Sequence, residues 1–576
     1  MRTVIPILFL AVVGATLPAS AALAAHVPGD YPTIQAAIDA GAKQVVVAPG
    51  VYPETLVVAH DVELRAEHPS AGIDPALRPV VYGLQIREGR YVDRVTVRGF
   101  HFTGPVTQTD DTGASAVAIV LCRLDGGYAG GGIGLSDSLG IDSCHIVGDL
   151  DAGSCTTVIT DNTMVGGGIR AYSSGGMGIS IQRNLILNSP DWAIFLSGCC
   201  TGNVITHNTI RGARNGIAPA EHGWLEHNLV EDCAGTAYCL GRGGVARDNV
   251  ARRCGGDGIE FAGYYGQMEA VGNVVDSVGL CGLHLAVSFW GNVRDNVVRH
   301  SGSHGIWSEG GNVLSGNRVL HAGGDGIRSS GPANQNVVGR CAGAGIVAAD
   351  ASHNTSYLNQ GAGFALTGGI VTHNIAYGNG GPGLEWSGSE EPGLGCNDWF
   401  DNAGGTVVGT GPGGTDVSVD PAFCAVAEDD VHLRDDSPLV DLEGCGLVGA
   451  LGPGCVAVVP MRFSLYPGVL DLRSKGRWVA GCLQPPAPYA AGDIEVNSIR
   501  VNGTVPVDTR GPVTLADRDG DGVPDLEVKF DRDALERTVA GEGAVVVTVE
   551  GTISARPFRG TASIRVQGAP RAAGSE

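Results

Sequence analysis

An asparagine returns about every 21 residues through the middle of this chain, a period typical of stacked supersecondary units. It stands at Asn162, Asn184, Asn208, Asn228, Asn249, Asn273, Asn296, Asn317, Asn336, Asn354 and Asn374, usually two residues before an apolar side chain. A second series keeps step with it: Gly216, Ala237, Gly258, Gly282, Gly305, Gly326, Gly345, Gly363 and Gly383, each followed by a large apolar or aromatic residue. The segments between are short, rich in Val, Ile, Asn and Gly, and broken by glycine every few residues. A helical solenoid needs long amphipathic stretches, so this pattern excludes one and fits a parallel β-helix. Each coil then gives short strands to parallel sheets, neighbours lie about 4.8 Å apart along the axis, and equivalent positions stack into columns. Inward asparagines in such a column bond to one another and to backbone at a bend, a structural role.

The 91 Gly and 29 Pro suit a fold that turns several times per coil, and 6% aromatic content suits a narrow aliphatic core. Residues 1–25 read as a signal peptide: Arg2 gives the positive start, Val4 to Val13 the apolar stretch and Ala22-Leu23-Ala24 the cleavage pattern. Nothing later is long and apolar enough to span a membrane. The expected location is therefore secreted or extracellular, periplasm and cell surface included. The formal charge of -23 argues against nucleic acid as a partner. The 15 cysteines of an exported chain suggest disulfides, with at least one left over. Cys233 and Cys254 occupy one place in adjacent coils, within disulfide range or as stacked buried thiols. Cys396, Cys424, Cys445 and Cys455 cluster where the repeat loosens and are expected to be bridged.

The segment from His26 to Val58 reads as a short amphipathic helix, Thr33-Ile34-Gln35-Ala36-Ala37-Ile38-Asp39-Ala40, and then a strand. A helix here caps an otherwise open β-helix end. Through this word, Ala48-Pro49-Gly50-Val51-Tyr52-Pro53-Glu54 and the two ladders, residues 26–455 resemble the pectate-lyase-like superfamily of right-handed parallel β-helix proteins. The resemblance implies the fold; the superfamily spans lyases, hydrolases, esterases, epimerases, phage spikes and proteins without known catalysis, so it implies no single chemistry. The expected fold class is all-β: a right-handed parallel β-helix with an N-terminal capping helix, and a small C-terminal β-sandwich-like domain. Beyond Cys455, residues 456–485 read as a transition, residues 486–567 as that domain from runs such as Ile494 to Val501, and residues 568–576 as a disordered tail.

The C-terminal domain carries Asp517-Arg518-Asp519-Gly520-Asp521-Gly522-Val523-Pro524-Asp525. Asp517, Asp519, Asp521 and Asp525 in a glycine turn can converge on a hard cation, so a structural calcium site is expected. Val528 stands where an EF-hand would have its last acid, and the word resembles the calcium loops of extracellular repeats, including the thrombospondin type 3 class.

In the solenoid, one outward column reads Cys239, Glu260, His284, Trp307, Arg328, Val347, and another reads Thr236, Asp257, Cys281, His304, Asp325, Ala344. The coils at Gly258 and Gly282 are long and hold Tyr264, Tyr265, Phe289 and Trp290, candidate groove walls. Acid, histidine, tryptophan and arginine on successive coils suit an extended polysaccharide or cell-surface glycan, with Asp257, Tyr264, Tyr265, Trp290 and Trp307 as binding residues. In a catalytic reading, Arg328 neutralises a uronate while His284 or His304 acts as base and Glu260 or Asp325 as acid; alternatively a carboxylate pair hydrolyses a glycosidic bond. The words that mark polygalacturonases, pectin methylesterases, pectate lyases and alginate epimerases are absent, so lyase, hydrolase and epimerase stay open. A third column, His207, His227 and Asp248, with His353 and His373 further on, suits a transition metal or simply a polar face. The alternative to carbohydrate work is a noncatalytic extracellular or cell-surface structural or adhesion protein.

Overall fold

The computed structural model describes residues 24–69, 75–87, 92–109, 116–130, 138–152, 156–173, 178–198, 202–262, 266–286, 289–539 and 542–568. The signal-peptide residues up to 23 and the tail from 569 lie outside these. Among the described residues, no helix is long and apolar enough to cross a membrane. By its contacts the chain divides into two compact units, residues 1–419 with 448–450, and residues 420–447 with 451–576.

The first unit is a parallel β-solenoid whose coils build an 18-stranded and a 32-stranded sheet. One coil shows why the numbers differ. Val245–Arg247 joins the first sheet, and after a bend Val250–Cys254 and Ile259–Phe261 both join the second. Each strand pairs in parallel with its equivalent one coil away, as Val250 with Val274 and Ile259 with Leu283. Alternate side chains turn inward onto one core of Val, Ile, Leu and Ala that runs from Ala25 to Trp399. At the N-terminal end the helix is Ile34–Asp39, capped by Thr33 Oγ1 accepting from the Ala36 amide, with Ile34, Ala37 and Ile38 buried.

The asparagine column supplies what the bend between the sheets lacks. Asn249 donates both its backbone N–H and its Nδ2 to Asn273 Oδ1, at 3.0 and 3.1 Å, and its Nδ2 also reaches Leu225 O at 2.9 Å. An amide has the donors and the acceptor this position asks for; an apolar side chain has neither. The same bonds repeat to Asn397, which donates to Asp416 Oδ1. At the other end Cys144 takes the place and donates its N–H to Asn162 Oδ1. The residue just before each ladder asparagine is left-handed, including Asp161, Arg183, His207, His227, Asp248, Asp295, His353 and His373. A second bend has its own left-handed column, Asp232, Arg253, Ser277, His300 and His321 among them.

In the second unit, Phe423–Ala425, Asp430–Arg434 and Pro453–Cys455 form a small sheet tied by the Cys424–Cys455 disulfide. Cys396 and Cys445 are also disulfide-bonded. A nine-stranded mixed sheet follows, and a bridge between Val507 and Phe530 folds it around one apolar core. Residues 456–485 are therefore no transition: Val459–Tyr466 and Trp478–Gln484 are strands of this sheet, with Met461, Phe463, Leu465 and Leu483 in its core. The solenoid likewise ends earlier than residue 455, its paired coil strands reaching Val407–Val408. Cys233 and Cys254 are buried free thiols.

Candidate functional site

The outward column holds by strand register. Glu260 pairs with Cys239 and His284, His284 with Trp307, and Trp307 with Arg328, which pairs with Val347. Each sits between two inward, buried residues, as Glu260 does between Ile259 and Phe261, so strand alternation points all of them the same way. The second column stands at the turn before the small-residue ladder, and its side chains share one structural task. Asp257 Oδ1 accepts the Cys281 N–H at 2.8 Å, His304 Nδ1 accepts the Asp325 N–H at 3.0 Å, and Asp325 Oδ1 accepts the Ala344 N–H at 2.9 Å. One coil before them, Asn215 Oδ1 accepts the Thr236 N–H in the same manner.

The candidates therefore divide into two groups. Asp257, Glu260 and His284 each bring one oxygen or nitrogen to within 4.8 Å of the others. His304, Asp325 and Arg328 form a neighbouring group, in which Arg328 Nη1 donates to Asp325 at 2.9 Å. The Arg328 guanidinium is thus spent on a carboxylate of the protein. Trp307 stacks on His284, with ring centroids 4.6 Å apart and an interplanar angle of 14°, and meets His304 edge-on. Tyr264 and Tyr265 lie outside the described residues. Trp290 belongs to the strand Phe289–Arg294, which pairs with Gly266–Val271 in the 18-stranded sheet rather than standing in a loop.

One member was missed from the sequence. Glu309, two residues after Trp307, places Oε1 3.8 Å from His284 Nε2, while Asp257 Oδ2 lies 4.0 Å from His284 Nδ1. The imidazole lies between two carboxylates, hydrogen-bonded to neither, and its Nε2 is buried without a partner among the described residues. Column reading follows one position per coil, and Glu309 sits in the turn beyond the column.

Burial pushes the Asp257 carboxyl above its ordinary range. Burial also raises Glu260, and the charge of Asp257 raises it further. The neighbouring thiols are moved away from reactivity: burial takes Cys239 up to about 12, helped by Glu260, and Cys281 up to about 11, helped by Asp257. Two crowded carboxyls with raised affinity for protons can divide the work, one protonated and one ionised.

A family model for the right-handed β-helix region matches residues 152–312. No curated protein matches the chain. Among solved structures, it is similar to the mannuronan C-5 epimerase AlgE6 A-module of Azotobacter vinelandii, at 14% identity and a TM-score of 0.24 over 67% of this chain and 94% of that one. It is similar to a tailspike protein of E. coli bacteriophage HK620 in complex with a pentasaccharide, at 10% identity and a TM-score of 0.29 over 92% and 88%. A third is the catalytic unit of a GH87 α-1,3-glucanase from Streptomyces thermodiastaticus, at 12% identity and a TM-score of 0.25 over 70% and 68%. At these TM-scores the likeness carries no argument about chemistry.

Two further clusters match sequence expectations only in part. Glu226, His227 and Asp248 approach within 4.8 Å, and His207 stacks beside His227 with centroids 5.0 Å apart. In the C-terminal unit Asp517, Asp519 and buried Asp525 converge within 4.8 Å. Asp521 turns instead to Gln484 Nε2 at 2.8 Å and Arg462 Nη1 at 3.1 Å.

Proposed function

We propose that this chain hydrolyses a polysaccharide lying along the outward column that includes Glu260, His284 and Trp307. The observation that carries this reading is the Asp257 and Glu260 pair, two carboxyls raised by burial whose nearest oxygens lie within 4.8 Å. Retaining glycoside hydrolysis uses carboxyls about 5–5.5 Å apart, inverting hydrolysis about 6.5–9.5 Å. Protonated Glu260 donates its proton to the glycosidic oxygen. The Asp257 carboxylate, oriented by the Cys281 N–H, attacks the anomeric carbon, and water then releases the sugar as Glu260 takes back a proton. The stacked rings of His284 and Trp307 give an aromatic ridge for a sugar to pack against.

Purified protein incubated with a panel of polysaccharides is expected to release reducing ends, in the presence of a chelator as well as without it. Asp257→Asn and Glu260→Gln should each lower the rate by ~10²–10⁴-fold. No release from any polymer would reject hydrolysis, and activity lost to the chelator would reassign Asp257, Glu260 and His284 to a metal.

We propose further that residues 1–25 direct export and that the loop of Asp517, Asp519 and Asp525 holds one calcium ion, since an all-carboxylate donor set suits a hard cation. Fractionation of the producing cells, with sequencing of the mature N-terminus, tests the first; the second has its test below.

A further inference from the structure

We infer that the polymer bound on this face bears no carboxylates: the substrate class is neutral or amine-bearing polysaccharide, and uronate polymers are excluded. This rests on the proposed hydrolysis and adds to it the sign of the substrate's charge.

A site for a uronate needs an uncommitted cation for each sugar carboxylate it seats. Along the two columns the one cation is Arg328, and it is held at 2.9 Å by Asp325. Asp325 in turn is fixed by the Ala344 N–H, so turning the guanidinium outward would leave that carboxylate behind, half-compensated. Against this stand Asp257, Glu260 and Glu309, gathered on three successive coils around His284. The segments beside the site that lie outside the described residues, 263–265 and 287–288, read Gly-Tyr-Tyr and Val-Ser and bring no cation. The nearest other guanidinium in sequence, Arg242, is exposed in the turn after Leu240, one coil away from Glu260. A chain whose formal charge is -23 adds repulsion at longer range. Protonated sugar amines meet the opposite field, and neutral sugars meet none.

The geometry also names the residue whose charge decides the matter. Glu309 is the carboxylate of this group that neither anchors a neighbouring coil's backbone nor takes part in the proposed proton transfer and attack. It sets selectivity by position and sign.

The test uses the full chain at pH 7, low salt and with chelator, on a neutral glucan, a neutral mannan, a de-acetylated amino-sugar polymer, polygalacturonate and alginate. Reducing ends and direct binding are followed for each. Release from a neutral or amine-bearing polymer, with uronate binding weaker by at least about 100-fold, is the expected result. Turnover of polygalacturonate or alginate at a comparable rate would overturn the charge inference and leave hydrolysis standing. Inactivity on all five would reject hydrolysis and the inference with it. As a second readout, Glu309→Arg should strengthen polygalacturonate binding at least about tenfold while leaving neutral-polymer binding within about twofold. A parallel change on both would mean that Glu309 only supports the fold and would also count against the inference.

Discussion

Asp257 and Glu260 are held in the folded chain as carboxyls that give up their protons late. In both, burial is the largest cause and raises the pKa, so the folded protein keeps protons that the unfolded chain has already released. The sign follows from linkage: their contribution to stability is full below the ordinary carboxylate range of about 4 and is lost as pH rises through the raised folded values. Replacing them by Asn and Gln removes this dependence. Asp257→Asn and Glu260→Gln should therefore gain in Tm over the parent at pH 8 and show a smaller difference at pH 4, by roughly 2–4 °C for each kcal/mol relieved. Thermal scans at the two pH values read this directly; a difference independent of pH would contradict the raised values. The residue types of this site were legible because the column places one residue per coil. Its division of labour was not. Nothing in the letters says that His304 and Asp325 accept backbone amides of the next coil, or that Glu309 leans back onto His284 from a turn.

The coil is the element that repeats, and its two ladders are maintained by different physics. A Cβ on Gly258 would lie 2.6 Å from Gly282 O and closer still to a Val275 methyl, and each neighbouring glycine meets a valine one register on. Ala237 breaks the glycine run where the matching position is Ala251 in place of valine. Gly282→Ala should accordingly cost about 1–3 kcal/mol through overpacking. Pairing it with Val298→Ala should recover much of that loss, and no recovery would mean that the Gly305 carbonyl, not the methyl, sets the limit. The asparagine ladder fails in another manner. Asn273→Leu fits by size but leaves the Asn249 amide and Ala246 O unpaired in the interior, at about 1–3 kcal/mol for each group. Chemical denaturation of both variants against the parent checks the ranking. The acidic loop of the C-terminal unit is an element of another kind, whose carboxylates repel until neutralised. Millimolar calcium should raise the Tm of this unit, Asp525→Asn should abolish the rise, and an equal rise in that variant would place the ion elsewhere.

For the molecule as a whole, two cores in two compact units lead to the expectation of two calorimetric transitions, of which calcium moves one. A single transition at every calcium concentration would contradict this. The architecture was readable from period alone, since register turns a repeat into a column, whereas the boundary between the units was misplaced. The run Val459-Pro460-Met461-Arg462-Phe463-Ser464-Leu465-Tyr466 alternates buried and outward positions and announced a strand, but the end of the asparagine repeat had drawn the eye to a linker. That end has its own meaning. Every asparagine in the ladder receives with its oxygen and hands on with its nitrogen, so the bonds run in one direction along the axis. Asp416 receives from Asn397 on one oxygen and uses the other for the Gly413 N–H and Trp399 Nε1. A carboxylate has nothing to hand on. The column thus closes with a full stop, and a further coil, whether of this chain or of a second molecule, finds no side-chain donor waiting for it there.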